Sequence, residues 1–474
     1  MCFISRARGL APALLLTLSI PFLLENTQTA AAQTLNSLTR ISTPSTKVAL
    51  RPGVETPVLI KSTPFAVCTL HAKGAADADP RMNLIADSEG AVRFHLTAQR
   101  ESTEAAGFEV DCTEAGTDTA DSGAPISLTT HTVEVTAGMS VAEAREEPQT
   151  PPKGAAPAPA ISEAEARSFS GVELARLQYP PRPKEETDPQ AFAAWLRIVT
   201  TPHTRVPAGL AMRAEVSHHH GSANGSPSRL PNGLPTAGAE GTANWSGIQL
   251  VSGNGSYNDV AMSWTIPAVT AELFGPQAMS ALWVGFGDGN TDLVQVGTEQ
   301  NAISGWGYAA TSYYAFTEVW PSQATEAVLT GLPVSPGDQV YASEYLCDSN
   351  GVADQSGIYQ CGYMYDYRTM QDAPFTVPLG STQVAGSEAE WIMERPWLNG
   401  ALPDMANYGT VSVTGATATN VCQCNTAGLH RRYLVTNNNL AMYNDYYTFD
   451  DNNLLSTSTV NGPPDLLFQW QGYH

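Results

Sequence analysis

The chain is poor in basic residues, and its downstream half has almost none. Residues 241–474 contain four arginines and no lysine against 21 Asp and Glu, so they carry −17 of the net charge of −22. A nucleic acid is not an expected partner, because phosphate binding requires clustered Lys and Arg. Two interpretations stay open. In the first, the acidity serves solubility alone. In the second, it adapts the protein to acidic conditions: once the carboxylates are protonated, a protein with few basic residues does not build up the positive charge that unfolds ordinary proteins.

Long apolar runs are missing beyond the first 32 residues. Arg6 and Arg8, an apolar run from Leu10 to Leu24, and the small residues 29–32 have the form of a secretory signal peptide. No later stretch is long enough to span a bilayer. We therefore expect residues 1–32 to be a signal peptide, and the mature protein to be an exported monomer without a membrane span, extracellular or periplasmic.

Several catalytic and metal-binding motifs are also missing. The chain has no Gly-x-Ser-x-Gly nucleophile elbow, no pair of Asp-Thr-Gly segments, and no Cys with a credible His partner. Asp288-x-Asn290-x-Asp292, with Glu299 at the twelfth position, mimics a calcium loop, but Leu293 stands where the turn needs glycine. We predict neither a metal nor a cofactor.

Cysteine is scarce, and its number is even once the signal peptide is removed. The remaining residues are Cys68, Cys112, Cys347, Cys361, Cys422 and Cys424. In an oxidising compartment we favour two disulfides, Cys68 with Cys112 and Cys347 with Cys361, the second closing a hairpin of two aromatic strands. The last two cysteines stay unassigned, since a three-residue ring is strained. A zinc site is the less favoured alternative.

Residues 34–140 are predicted to form a small β domain. Short β-type runs alternate with Gly, Pro and Asp clusters, which is typical of an immunoglobulin-like sandwich. Cys68 and Cys112 are far enough apart in sequence to bridge its two sheets.

Residues 141–240 are predicted to be a Pro/Ala-rich linker with a helical propeptide segment. Ser162 caps one predicted helix, from Glu163 to Leu177, and Asp188 with Pro189 opens a second. The run His218–His220 follows on a Gly/Ser/Asn-rich stretch, where a solvated run is favoured over a metal site.

The stretch 166–229 is basic, with eight Lys or Arg against five acids. One interpretation is a solvated connector. The other is that this upstream segment lies on the acidic downstream part as an inhibitor and loosens when acid neutralises the carboxylates.

From residue 241 to residue 474 the pattern is β throughout. Val260, Met262, Trp264 and Ile266 alternate with more polar residues, and Gly and Pro recur every ten to fifteen positions. The sequence predicts an all-β fold in which a large two-sheet antiparallel sandwich, jelly-roll or lectin-like, follows the smaller β domain.

Two segments suggest chemistry. Within 293–297 and 389–394, alternation sends Gln295 and Glu394 to one face of their strands and an apolar wall to the other. A carboxylate on a sheet face is a plausible general base, and an amide on a neighbouring strand is a plausible oxyanion donor. The pair predicts hydrolysis by water.

Seven short motifs occur in an order that resembles the glutamic peptidases, or eqolisins, over roughly residues 241–420. They are Asn244-Trp-Ser-Gly247, Val260–Pro267, Trp283-Val-Gly285, Gln295-Val-Gly297, Ala315–Pro321, Ala389–Glu394 and Ala406–Val411. The resemblance implies a β-sandwich endopeptidase that hydrolyses proteins in acid without a covalent intermediate. It gives the catalytic roles to Glu394 and Gln295.

The same resemblance implies the residues that contact a protein or peptide substrate. They are Glu318, Trp245, Trp283, Phe316, Asp288 and Glu299. The chain departs from the family pattern at Asp288 and Glu299. Near Asp288 the family has an Asp in an Ile-Asp-Gly motif, and in place of Glu299 it has an Asp. Two rivals stay open: a β-sandwich glycosidase with Glu318 and Glu394 as its carboxylate pair, and a binding module without activity.

Overall fold

The computed structural model describes residues 47–50, 54–73, 80–98, 106–113, 128–137, 152–186, 188–219, 239–305, 308–420, 430–433, 438–443, 454–461 and 465–473. The predicted signal peptide, His220, Cys422 and Cys424 lie outside these ranges. Within them, no helix has both the length and the apolar character to cross a membrane.

Strands dominate the element order. The upstream strands are β1 (Lys47–Leu50), β2 (Thr56–Lys61), β3 (Val67–Ala72), β4 (Arg81–Ile85), β5 (Ala91–Ala98), β6 (Ala106–Thr113) and β7 (Leu128–Ala137). The middle region contains β8 (Ala156–Pro157), α1 (Glu163–Ser168), α2 (Gly171–Arg176), α3 (Pro189–Thr200), β9 (Thr204–Arg205), β10 (Leu210–Met212) and β11 (Val216–Ser217).

The downstream strands follow without a helix in the described ranges. They are β12 (Ala239–Thr242), β13 (Trp245–Val251), β14 (Tyr257–Thr265), β15 (Ala278–Asp288), β16 (Asp292–Gly305), β17 (Tyr308–Trp320), β18 (Ala327–Leu329), β19 (Gln339–Cys347), β20 (Tyr359–Asp366), β21 (Gln371–Pro378), β22 (Glu388–Glu394), β23 (Trp397–Leu398), β24 (Asp404–Met405), β25 (Thr410–Asn420), β26 (His430–Tyr433), β27 (Asn438–Tyr443), β28 (Leu454–Val460) and β29 (Leu466–Trp470).

Two antiparallel layers form the downstream part. The first layer runs β13-β22-β15-β16-β17, and the second runs β25-β14-β19-β20-β21. Alternate side chains such as Val294 and Val296 of the first layer share one core with Met262 and Trp264 of the second. Trp264 Nε1 donates across that core to Thr298 Oγ1 at 3.1 Å. The predicted two-sheet sandwich is confirmed.

The upstream strands build a second, smaller sheet in the order β1-β7-β6-β3-β4. The antiparallel pair β2–β5 instead extends the first layer, since β5 pairs with β17. Phe94 of β5 and Ile303 of β16 belong to the same apolar cluster as the small sheet. The division of the chain into domains at residues 140 and 240 stays a prediction.

Both predicted disulfides are present, joining Cys68 to Cys112 and Cys347 to Cys361. The expectation that the first one bridges two sheets is wrong. Cys68 and Cys112 are directly opposite each other on β3 and β6, so the bond lies within one sheet. The second bond joins β19 to its antiparallel neighbour β20, as the hairpin prediction required.

The first predicted helix is divided in two. Ser162 and Ser170 each accept a hydrogen bond from the backbone of the residue three positions on, and each is the N-cap of its own capping box. Phe169 between them has an extended ψ of 138°, so the helix ends there and restarts. The second predicted helix is present as α3, where Pro189 occupies the first turn.

The helices cover the outer face of the second layer, and the chain then turns around the edge of the sandwich. Phe192 and Trp195 of α3 pack with Tyr341 and Tyr363. Beyond α3, β9 pairs with β21 of the second layer, whereas β10 pairs with β18, the neighbour of β17 in the first layer. Residues 204–219, which we call the crossing segment, thus lead from one layer to the outer face of the other.

Candidate active site

The strand register of the first layer brings most of the predicted site residues to one face. Gln295 is opposite Gly285 and Glu318, and Glu394 is opposite Ala281. Ala281 and Gly285 are four residues apart on β15, so their side-chain directions and those of their partners point the same way. The same alternation adds Trp283, Phe316, Glu299, Tyr314 and Trp320 to this face.

The crossing segment ends on this face, and His218 lies at its centre. The imidazole Nδ1 lies 2.9 Å from Glu394 Oε2, and Nε2 lies 3.0 Å from Glu326 Oε2. The ring stacks on Phe316, with centroids 4.1 Å apart and an interplanar angle of 11°. Burial alone would lower the pKa of His218, but Glu394 and Glu326 outweigh it and hold that pKa well above the ordinary value. The ring is an imidazolium between carboxylates.

The backbone of His218 is bound as well as its side chain. Gln295 Nε2 donates to the carbonyl oxygen of His218 at 2.9 Å, and the amide of His218 donates to Glu318 Oε2 at 2.8 Å. The next carbonyl, that of His219, accepts from Asn244 Nδ2 at 2.8 Å and from Trp397 Nε1 at 3.2 Å. A peptide backbone therefore occupies the face on which Gln295 and Glu394 converge.

Two side chains, one from β15 and one from the residue just before β13, hold the Glu394 carboxylate in place. Trp283 Nε1 donates to Glu394 Oε2 at 2.7 Å, and Asn244 Nδ2 donates to Oε1 at 3.1 Å. Trp245 supports Trp283 edge to face, with ring centroids 5.0 Å apart. Glu394 has 0% exposure, yet its neighbours are polar donors, as its predicted role as general base requires.

Gln295 and Glu318 form a second contact. Gln295 Nε2 lies 3.3 Å from Glu318 Oε2, so the amide donates to both the carboxyl group and the peptide carbonyl. Burial raises the pKa of Glu318 well above its usual value, although His218 opposes this shift. Among the described residues, Gln295 Oε1 has no hydrogen-bond partner despite its burial. It is available as an acceptor.

A cluster of charged residues lies beside His218. Arg213 NH1 is 3.4 Å from Glu299 Oε1 and 3.6 Å from Glu326 Oε1, and it also contacts Tyr314. Burial and Glu326 raise the pKa of Glu299 to about 7, while Arg213 and His218 pull it down. The donor atoms of His218, Glu299 and Glu326 lie within 4.8 Å of one another, close enough for one cation. Both imidazole nitrogens already face carboxylates, so ion pairing describes this set better than metal binding.

Seven of the eight predicted catalytic and substrate-binding residues come together here. They are Glu394, Gln295, Glu318, Trp245, Trp283, Phe316 and Glu299. Asp288 is not among them, because it lies at the end of β15, where its carboxylate accepts from the backbone of Asn290 in the turn to β16. That these residues perform catalysis stays a prediction.

The sequence did not identify three residues of the site, and it predicted the wrong environment for a fourth. Glu326 and Arg213 gave no local signal, and Asn244 was noted only as part of a motif. The expectation of a solvated histidine run is wrong for His218, which has 0% exposure, because carboxylates surround it. His219 is also packed, and stacks on Trp320 and Trp397 with centroids 5.9 Å and 5.4 Å away.

Comparisons with known proteins bear on this same region. Residues 243–456 match the model of the Peptidase A4 family. This part of the chain is similar to that family. The resemblance to glutamic peptidases is thus confirmed, and this part of the chain is a peptide-bond hydrolase.

Solved structures also match. Scytalido-glutamic peptidase with a peptide-based transition-state analogue is 17% identical, with a TM-score of 0.33, covering 48% of this chain and 98% of its own. Aspergilloglutamic peptidase from Aspergillus niger is 20% identical, with a TM-score of 0.30, covering 41% of this chain and 99% of its own. No curated protein matches the chain.

Proposed function

We propose that the chain is the precursor of an exported, acid-acting endopeptidase, in which Glu394 and Gln295 activate water and the crossing segment blocks the site. One observation carries the proposal: Gln295 donates to the carbonyl of His218 while Glu394 contacts the side chain of the same residue. The amide and the carboxylate converge on one residue, as a hydrolase of this kind requires.

The reaction needs no covalent intermediate. Glu394 takes a proton from water as the water oxygen attacks the carbonyl carbon of the substrate, and Gln295 Nε2 donates to the oxyanion. Glu394 then passes the proton to the leaving nitrogen as the C–N bond breaks, giving a carboxylic acid and an amine. Gln295 cannot titrate, so it remains a donor in acid. Its Oε1 is suited to accept a hydrogen from the attacking water.

The position of His218 supports the role of inhibitor. Its imidazolium lies against Glu394, where the water has to be, and Arg205 together with Asp372 anchors the start of the segment at 2.6 Å. The crossing segment presents its backbone as a substrate would and places the cationic His218 in an acidic site. This arrangement explains how a basic upstream segment keeps the enzyme inactive. Exported precursors benefit from this, because activity is delayed until the protein reaches acid.

The test uses the purified full chain in acid with a denatured protein substrate. We expect cleavage, together with a new N-terminus between about residues 205 and 243 by mass spectrometry. Gln295→Ala should lower kcat by about 10²- to 10³-fold, and Glu394→Gln should abolish turnover.

Glu390→Gln is the matched control. Glu390 lies on the same strand and is also fully buried, and burial and Glu388 raise its pKa well above the usual value, so the glutamine resembles the neutral acid already there. Full activity in Glu394→Gln, or an intact precursor that is fully active, would contradict the proposal.

A further inference from the structure

The pocket that receives the side chain of His218 is acidic on two sides. Glu299 comes from β16, and Glu326 follows β17 on the loop to β18. Both have 0% exposure, and His218 Nε2 reaches Glu326 Oε2 at 3.0 Å and Glu299 Oε2 at 3.6 Å. Phe316 provides the flat apolar wall on which the cationic ring stacks. The residue whose carbonyl Gln295 holds therefore places a positive charge between two carboxylates.

Both cations of this pocket belong to the crossing segment. Arg213 approaches the same two carboxylates from the other side. The backbone fixes this arrangement, since the amide of Arg213 donates to the carbonyl of Glu326 at 2.9 Å and the amide of Glu326 donates to Val216 at 3.1 Å. When the segment leaves, the two cations leave with it, and the two carboxyl groups lose their counter-charges. Buried carboxylates are costly without a counter-charge.

We propose that Glu299 and Glu326 form a subsite for a cationic side chain, so that the peptidase prefers to cleave after basic residues. The inference rests on the proposed function, because it identifies the substrate side chain on the amino side of the bond that Gln295 and Glu394 attack. The substrate class is peptides with Lys, Arg or His at that position.

The length of the side chain at this position distinguishes a substrate from the inhibitory crossing segment. The imidazole of His218 is short, so its Nδ1 remains on Glu394 while Nε2 reaches Glu326. The charge of Lys or Arg lies farther from the backbone, so it reaches Glu326 and Glu299 and leaves Glu394 free for water. We therefore expect Lys and Arg peptides to turn over faster than the matching His peptide.

The preference depends on pH, because acid neutralises Glu299, whose pKa is about 7 while the crossing segment is docked. The titratable groups that face it are Glu299, Glu326, Glu318, Glu394 and Tyr314. A protonated carboxyl group attracts a cation less than a carboxylate does. The selectivity for a basic side chain should increase with pH across the range in which the enzyme is active.

The experiment uses the full chain after acid incubation and two peptides that differ only in Lys against norleucine, which has the same length without the charge. At the least acidic pH at which the enzyme is active, we expect kcat/KM to favour Lys by about 10- to 100-fold, the range for a hydrogen bond to a charged partner. Glu326→Gln should bring the ratio to within about threefold of unity. Glu299→Gln is the second variant, and Glu390→Gln is the control with an unchanged ratio.

The outcomes separate the two proposals. Equal kcat/KM for Lys and norleucine, or an unchanged ratio in both Glu326→Gln and Glu299→Gln, would overturn the cationic subsite and leave the peptidase in place. Absence of cleavage of every peptide after acid treatment would overturn the proposed function itself, and the subsite with it.

Discussion

His218 Nδ1 lies 2.9 Å from Glu394 Oε2, so a residue from the upstream half of the chain pairs with the carboxylate that the proposal makes the general base. One histidine thus joins the two catalytic candidates, because its carbonyl accepts from Gln295. The autoinhibitory role of the crossing segment depends on this double contact.

Replacing that histidine should release the inhibition. In His218→Ala the imidazolium no longer pairs with Glu394 and Glu326, so we expect the precursor to be processed faster and at a less acidic pH than the wild type. The measurement is a time course of the N-terminus by mass spectrometry over a pH series. His71→Ala, which removes a histidine paired with Asp111 in the small upstream sheet, is the control. Equal rates for both variants and the wild type would exclude His218 as the block.

The pH dependence of docking follows from the direction of the pKa shifts. Glu299 has a pKa of about 7 with the segment docked, where Arg213 and His218 lower it; release removes both cations and raises it. A group whose pKa is lower when docked contributes fully to docking above its undocked pKa, and this contribution is lost as the pH falls to the docked pKa. The contribution of Glu299 to docking should therefore decrease as the pH falls toward about 7.

His218 has the opposite sign. Docking raises its pKa, so its contribution is complete below the free histidine value and is lost as pH rises through the raised value. The two effects together predict the tightest docking above about 7 and below the raised pKa of His218. Hydrogen exchange of residues 204–219 across pH measures this, and Glu299→Gln should remove the loss of protection as the pH falls toward about 7. Equal protection of the wild type at neutral and at mildly alkaline pH would contradict this mechanism.

The sequence was sufficient to predict the strand face that carries Gln295 and Glu394. It was insufficient to predict that the crossing segment covers this face. Alternation alone placed Gln295 and Glu394 on the face of their strands opposite the apolar wall, because the period of a strand is fixed by its backbone. The pairing of β15 between β16 and β22, which brings them together, is a long-range contact. Only the family resemblance indicated it.

The contacts of the crossing segment could not be predicted from local sequence patterns either, because they also join residues that are far apart in the chain. His218 and Glu326 are 108 residues apart, and a histidine beside Gly, Ser and Asn has the composition of a solvated linker. The basic charge of 166–229 opposite an acidic downstream part was the one signal, and it favoured contact without identifying the residue. The break between α1 and α2 was readable, since Ser170 and Glu173 repeat the capping box of Ser162 and Glu165.

Trp283 should act through the position of Glu394. Trp283→Phe keeps the ring that packs on Trp245 and removes the Nε1 donor that lies 2.7 Å from Glu394 Oε2. A hydrogen bond to a charged group contributes about 1.5–3 kcal/mol, so we expect kcat to fall by about 10- to 100-fold with a smaller change in KM. Trp264→Phe, which removes an indole donor from the core between the layers, is the control for a stability effect. A rise in KM at constant kcat would instead indicate a substrate contact.

The disulfide between Cys347 and Cys361 should stabilise the layer opposite the site without taking part in catalysis. It closes a loop with a sequence separation of 14 residues between β19 and β20. A loop of this length corresponds to about 3 kcal/mol of chain entropy in the unfolded state. The double variant Cys347→Ser/Cys361→Ser should lose about that free energy of unfolding in denaturant titrations. At temperatures where the variant is folded, kcat/KM should match that of the wild type, because the bond lies in the second layer and Gln295 and Glu394 lie in the first. A large fall in kcat/KM of the folded variant would show that the two layers are coupled more tightly than their shared core implies.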